Sequence, residues 1–117
     1  MIENGFGTFL EAIERIERYV PDGQPRFEQD ELLQTWMVHH IQIIGEAARK
    51  LSDSMRNTHP EIPWPQIITM RNVLVHDYFG IDLQEVWMAV ERDIPDLKPK
   101  IQVILQELED PTEVYKF

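Results

Sequence analysis

The 117-residue chain contains no cysteine. That excludes disulfides, thiolate zinc sites and cysteine nucleophiles, and it fits a reducing compartment. Long apolar runs are also missing, so no stretch is expected to cross a bilayer. The start, Met1-Ile2-Glu3-Asn4-Gly5, lacks a basic region followed by an apolar run, so no signal peptide is expected. No low-complexity tract or internal repeat occurs, and neither a glycine-rich phosphate loop nor an HExxH zinc motif is present. Positive charge is scarce. Eleven lysines and arginines face 21 aspartates and glutamates, a formal net charge of −10. Such a surface keeps a protein soluble and repels nucleic acid at long range. If RNA is the ligand, a local basic site or a basic partner must overcome that field.

What the chain does have is helical periodicity. Phe9, Ile13, Ile16 and Val20 recur at spacings of four and three, with Thr8 and Glu11 placed as a capping box. That first helix is expected to stop before the turn cluster Pro21-Asp22-Gly23. A long second helix is predicted from near Asp30 to about Ser54. Leu33, Met37, His40, Ile44, Ala47 and Leu51 form its heptad-like seam. Leu32, Trp36, Ile41 and Ala48 make a second apolar stripe, which suggests burial of more than one face, against the core and against another subunit. His59-Pro60-Glu61-Ile62-Pro63 reads as a rigid connection, with Pro65 in the first turn of a third helix. That helix carries Ile67, Ile68, Leu74 and Val75 and is expected to end at Gly80. Asp82 and Glu85 offer a capping box for a fourth helix through Val86, Trp87 and Val90. Pro95 is expected to interrupt it, with a fifth helix running through Ile101, Ile104 and Leu105. No alternating strand pattern flanked by hairpin turns occurs. The prediction is one all-α domain over residues 1–117, an up-and-down bundle of four to five helices.

Chemistry concentrates in Met70-Arg71-Asn72-Val73-Leu74-Val75-His76-Asp77-Tyr78-Phe79. Arginine is a permanent, fork-shaped phosphate binder, and histidine exchanges protons near neutral pH. Cleavage of a phosphodiester without metal needs those two capacities. On a straight helix, five residues turn through roughly 500°, which leaves Arg71 and His76 about 140° apart and ~7.5 Å along the axis. Either the helix loosens before His76, or a twofold-related chain brings its His76 to this Arg71; a dimer with a composite cleft is the more economical arrangement. Asn72 and His76 share a face, so Asn72 is placed to orient the imidazole. Arg71 and Tyr78, seven apart, nearly share one too. The plainer alternative is that arginine, histidine and tyrosine simply end an amphipathic helix, where cations favour the dipole.

Other candidates are weaker. His39 and His40 are adjacent and point to different faces, a poor pair for one metal. His40 falls on the apolar seam and reads as a core or interface histidine. Glu46 is spaced to pair with Lys50, or else faces a cleft. Trp36, Trp64 and Trp87 read as core packing.

The run Arg71 to Tyr78 resembles the signature of HEPN-domain ribonucleases, and a tyrosine two residues after the histidine looks like the HepT toxin branch. Ile43-Ile44-Gly45-Glu46-Ala47-Ala48, Ile62-Pro63-Trp64, Met70-Arg71-Asn72 and Val86-Trp87 are similar to that branch in order and spacing, from about residue 9 to residue 105. The short glycine-containing start, Met1 to Gly7, departs from it and leaves little helix before Phe9. The resemblance implies a HEPN-like helical homodimer that cleaves RNA, mRNA or tRNA, without metal or cofactor. It also implies a toxin of a type VII-like toxin–antitoxin pair, whose partner is a small MNT-type nucleotidyltransferase antitoxin. Arg71 and His76 would be the catalytic pair, Asn72 their polar companion, and Tyr78 the hydroxyl that is adenylylated to silence the enzyme. With the missing cysteines, a cytoplasmic, prokaryotic setting is implied. The alternative is a non-catalytic nucleotide- or partner-binding helical module that accompanies a nucleotidyltransferase.

Overall fold

The computed structural model describes residues 2–69 and 82–109. Every regular element among them is helical, and none is a strand, so the predicted all-α bundle is observed. Helix α1 (Ile2–Glu17) buries Phe9, Ala12, Ile13 and Ile16 against α3 and α7. The capping box expected at Thr8 does not exist, because the helix already runs through that residue. A docked apolar face supplies the costly nucleus, and each earlier residue then adds one backbone hydrogen bond. Gly5 and Gly7 cost roughly 1 kcal/mol each, which does not stop propagation. The short start therefore leaves more helix before Phe9 than the sequence suggested.

After α1 the chain makes a one-turn 3-10 helix over Val20–Asp22, and Val20 belongs to it rather than to α1. Gly23 follows with φ +91°, a conformation that side chains strain. Its turn launches a short helix the sequence pattern did not reveal, α2 (Gln24–Gln29), with Pro25 in the first turn and Phe27 buried. Asp30 caps α3 (Glu31–Lys50) by accepting from the backbone N–H groups of Leu32 (3.0 Å) and Leu33 (3.2 Å). The predicted seam of Leu33, Met37, His40, Ile44 and Ala47 is buried along α3. Of the second stripe, Ile41 and Ala48 are buried, Trp36 is half-buried, and Leu32 is 84% exposed.

Helix α3 ends at Lys50, short of the predicted Ser54. Leu51 turns extended, with ψ 147°, and the Ser52 hydroxyl accepts from the Met55 N–H at 3.1 Å to start α4 (Asp53–Thr58). The serine satisfies a free backbone donor better as a cap than as an interior residue. Helix α5, described over 64–69, carries Pro65 in its first turn as expected. The predicted continuation through Leu74 and Val75 to Gly80 lies outside the described residues. Asp82 caps α6 (Leu83–Met88), accepting from Gln84 (3.1 Å) and Glu85 (3.2 Å). Pro95 does not interrupt the path that follows. A π-helical turn over Ala89–Asp93 passes directly into α7 (Ile94–Glu109), so the proline falls in a first turn. The wider turn re-phases the carbonyls just before the residue that cannot donate. Leu97, Ile101, Ile104 and Leu105 then seat α7 in the core. No described helix is long and apolar enough to cross a membrane.

Candidate functional site

Arg71, Asn72, His76 and Tyr78 lie outside the described residues. What is described is the frame on either side of them. On the leading side, Trp64 fixes the root of α5. Its indole N–H donates to the carbonyls of His59 (3.0 Å) and Arg56 (3.1 Å), and its ring meets Phe9 edge-on at 6.4 Å. Ile62 and Ile67 are buried beside it. Lys100 of α7 reaches the Glu61 carbonyl at 3.4 Å. A pocket of about 270 Å³ opens where α3, α5 and α7 meet, with Ile44, Ile67, Ile94 and Leu97 in its walls and Gln66, Asp93 and Lys100 among its polar groups. On the trailing side, the Asp82 cap starts α6, which buries Val86 and Trp87, the latter stacked on Phe27 at 5.4 Å. Trp87 Nε1 is a buried donor without a partner among the described residues.

Helix α3 supplies the remaining candidates. Glu46 is half-buried and forms an ion pair with Arg49, one residue short of the predicted Lys50. His40 is 2% exposed, as a core histidine should be. Its Nδ1 lies 2.7 Å from the Trp36 carbonyl, which makes Nδ1 the protonated nitrogen of the neutral ring. Burial holds its pKa below the ordinary value; the Trp36 bond pulls the other way, while His39, Arg15 and Arg18 add to the lowering. His39 is exposed, and its ring stands 5.1 Å from that of His40 at 85°. Trp64 and Trp87 pack in the core as expected. Trp36 does so only in part, and it joins Tyr19, Arg15 and Arg18 of the α1 end. No local pattern marks that cluster. Arg15 and Trp36 are 21 residues apart, and only the packing of α1 on α3 unites them. No group of three or more His, Cys, Asp or Glu able to hold a metal occurs among the described residues.

Comparison with known proteins places this frame in context. A family model described as ribonuclease HepT-like matches residues 9–104. The chain is 39% identical to a protein of Thermococcus cleftensis named as a ribonuclease HepT, over 79% of this chain and 84% of that one. It is 36% identical to a protein of Caldanaerobacter subterraneus named as an RNase, over 69% and 72% of the two chains. A Methanocaldococcus jannaschii protein named for gamma-glutamylcyclotransferase and RNase is 41% identical over 86% of this chain, which spans only 46% of that longer protein. No solved structure matches the chain.

Proposed function

The chain belongs to the HepT-like ribonuclease family, and we propose that it is a metal-independent endoribonuclease, the toxin of a type VII-like toxin–antitoxin pair. The observation that carries this reading is that the matched span, residues 9–104, contains Arg71, Asn72, His76 and Tyr78 in one short run. In this reading residues 1–117 form one domain, two copies pair in a prokaryotic cytoplasm, and an MNT-type nucleotidyltransferase adenylylates Tyr78 to silence the toxin.

The chemistry follows from the residue types. The ribose 2′-oxygen attacks the adjacent phosphorus while a neutral His76 takes its proton. The bond from phosphorus to the 5′-oxygen breaks, and His76, now protonated, returns its proton to that oxygen. Arg71 balances the charge that builds on the non-bridging oxygens. The products are a 2′,3′-cyclic phosphate and a 5′-hydroxyl, with no water consumed. Asn72 orients the imidazole.

Purified protein should cleave RNA in excess EDTA and leave 2′,3′-cyclic ends, and His76→Ala should be inert. Activity that vanishes with EDTA and returns with metal overturns the metal-independent step. Cleavage by His76→Ala overturns the assignment. The −10 charge favours a second reading, a non-catalytic nucleotide- or partner-binding module; unmodified wild-type protein would then leave every RNA intact.

A further inference from the structure

An acidic ribonuclease needs a face that RNA can approach, and the described residues contain one where cationic and aromatic side chains gather. Arg15 and Arg18, at the end of α1, cluster with Trp36, His39 and His40 of α3. Trp36 is its centre. The indole N–H is anchored on the Arg15 carbonyl at 2.9 Å, the ring meets Tyr19 edge-on at 5.4 Å, and it meets His40 at 4.4 Å. The rings Tyr19, Trp36, His40 and His39 thus form a continuous aromatic run. Tyr19 and Trp36 are half-buried, and His39 is exposed, so the run reaches the surface. Arg18 is exposed and enters no ion pair among the described residues, while Arg15 pairs with Glu11 at 2.8 Å. Glu14 and Glu17 act instead on Lys98 of α7. His39, Arg15 and Arg18 each oppose a positive charge on His40.

We propose that this face, built on Arg18, Trp36 and His39, docks a single-stranded segment of the RNA substrate, with bases stacked on the rings and phosphates held by the arginines. The inference rests on the ribonuclease reading. Every base has a π-face, so aromatic rings beside cations grip single strands without reading sequence. The hydrogen bond to Arg15 holds Trp36 in place before the strand arrives, which lowers the ordering cost. The position also suits delivery. Trp36 and Ile44, where α3 meets the root of α5, are eight residues and about 12 Å apart along α3. A strand laid on Trp36 and running along α3 therefore reaches the root of α5, the last described element before Arg71 in the chain.

The test uses full-length His76→Ala, which leaves the oligonucleotide intact, and a labelled single strand of about ten nucleotides. Arg18→Glu should weaken binding roughly tenfold, and Arg18→Ala should lower the slope of log affinity against log salt by about 1. RNA should quench tryptophan fluorescence, and the quenching should disappear in Trp36→Phe, since Trp64 and Trp87 are buried. In the active enzyme, Arg18→Glu should raise KM roughly tenfold and change kcat less than twofold. Unchanged affinity in Arg18→Glu, or full quenching in Trp36→Phe, overturns the proposal. So does a change of oligomeric state in Arg18→Glu with RNA affinity intact, which would make this face a subunit interface. Protein that binds RNA here but never cleaves it sinks the ribonuclease reading and leaves the face standing. Cleavage by Arg18→Glu at the wild-type KM does the reverse.

Discussion

Trp64 donates its indole N–H to the His59 carbonyl at 3.0 Å, and this bond ties the root of α5 to the turn that precedes it. A second acceptor, the Arg56 carbonyl, extends the tie to α4. The two carbonyls keep other partners, the Ile62 and His59 N–H groups, when the indole is removed. Trp64→Phe should therefore cost about 1 kcal/mol, the net worth of an ordinary hydrogen bond. Trp64→Ala also removes the ring packed on Phe9 and should cost about 3–5 kcal/mol. Urea unfolding separates the two; equal losses would show that the indole bond, and not the buried ring, carries the anchor.

Stability should fall in mild acid through His40. Its folded pKa is depressed, chiefly by burial, so the unfolded chain binds the proton more readily. The stabilisation is complete above the unfolded value of about 6.5 and is lost as pH falls through the lowered folded value. His39, Arg15 and Arg18 reinforce the penalty on a second positive charge there. The urea midpoint of the wild type should drop from pH 7 to pH 5, and His40→Leu should flatten that slope. An equal slope in the variant would assign the effect to other groups.

Where a single side chain sets a boundary, the sequence was enough to locate it. The helix start expected near Asp30 is where Asp30 caps α3, Asp82 caps α6 as its position suggested, and Pro65 opens α5. Boundaries went astray where tertiary packing or a subtle cap decides. Leu51 continues the heptad seam and is buried, so nothing in the apolar pattern announces that Ser52 ends the helix. Pro95 looks like a breaker because a period of 3.6 residues leaves no place for a π-turn. Glu46 chose Arg49 over Lys50, since both spacings lie on one helix face. The candidate site divides in the same way. Arg71, Asn72, His76 and Tyr78 stand in one short run, so a local pattern is enough to nominate them, whereas Arg18, Trp36 and His39 come together only once α1 lies on α3.

The five-residue spacing of Arg71 and His76 leads to a test of a shared cleft. On one ideal helix the two side chains diverge by about 140°, so a single chain cannot easily aim both at one phosphate. If one subunit's arginine works with the other's histidine, Arg71→Ala and His76→Ala proteins should each be inactive. Co-expressed, their heterodimer keeps one intact pair and should recover partial activity, up to about half per heterodimer on simple twofold counting. A fully active monomer by light scattering, or mixed variants that stay dead while heterodimers form, would sink the arrangement.

In the proposed reading Tyr78 is the control point. It lies seven residues beyond Arg71, nearly two helical turns, so on a regular helix its hydroxyl would lie on the side from which Arg71 meets phosphate. An adenylyl group there adds bulk and a negative phosphate beside the arginine. It would fill the cleft and neutralise the cation that substrate needs. Incubation with ATP and a cognate MNT-type nucleotidyltransferase should therefore add one or more AMP units at Tyr78 and abolish RNA cleavage. Tyr78→Phe keeps the ring and removes the acceptor oxygen, so it should fold, escape modification and remain insensitive to the partner. Peptide mass spectrometry decides the assignment. AMP mapped to another residue, or equal modification of Tyr78→Phe, would falsify the role given to this hydroxyl.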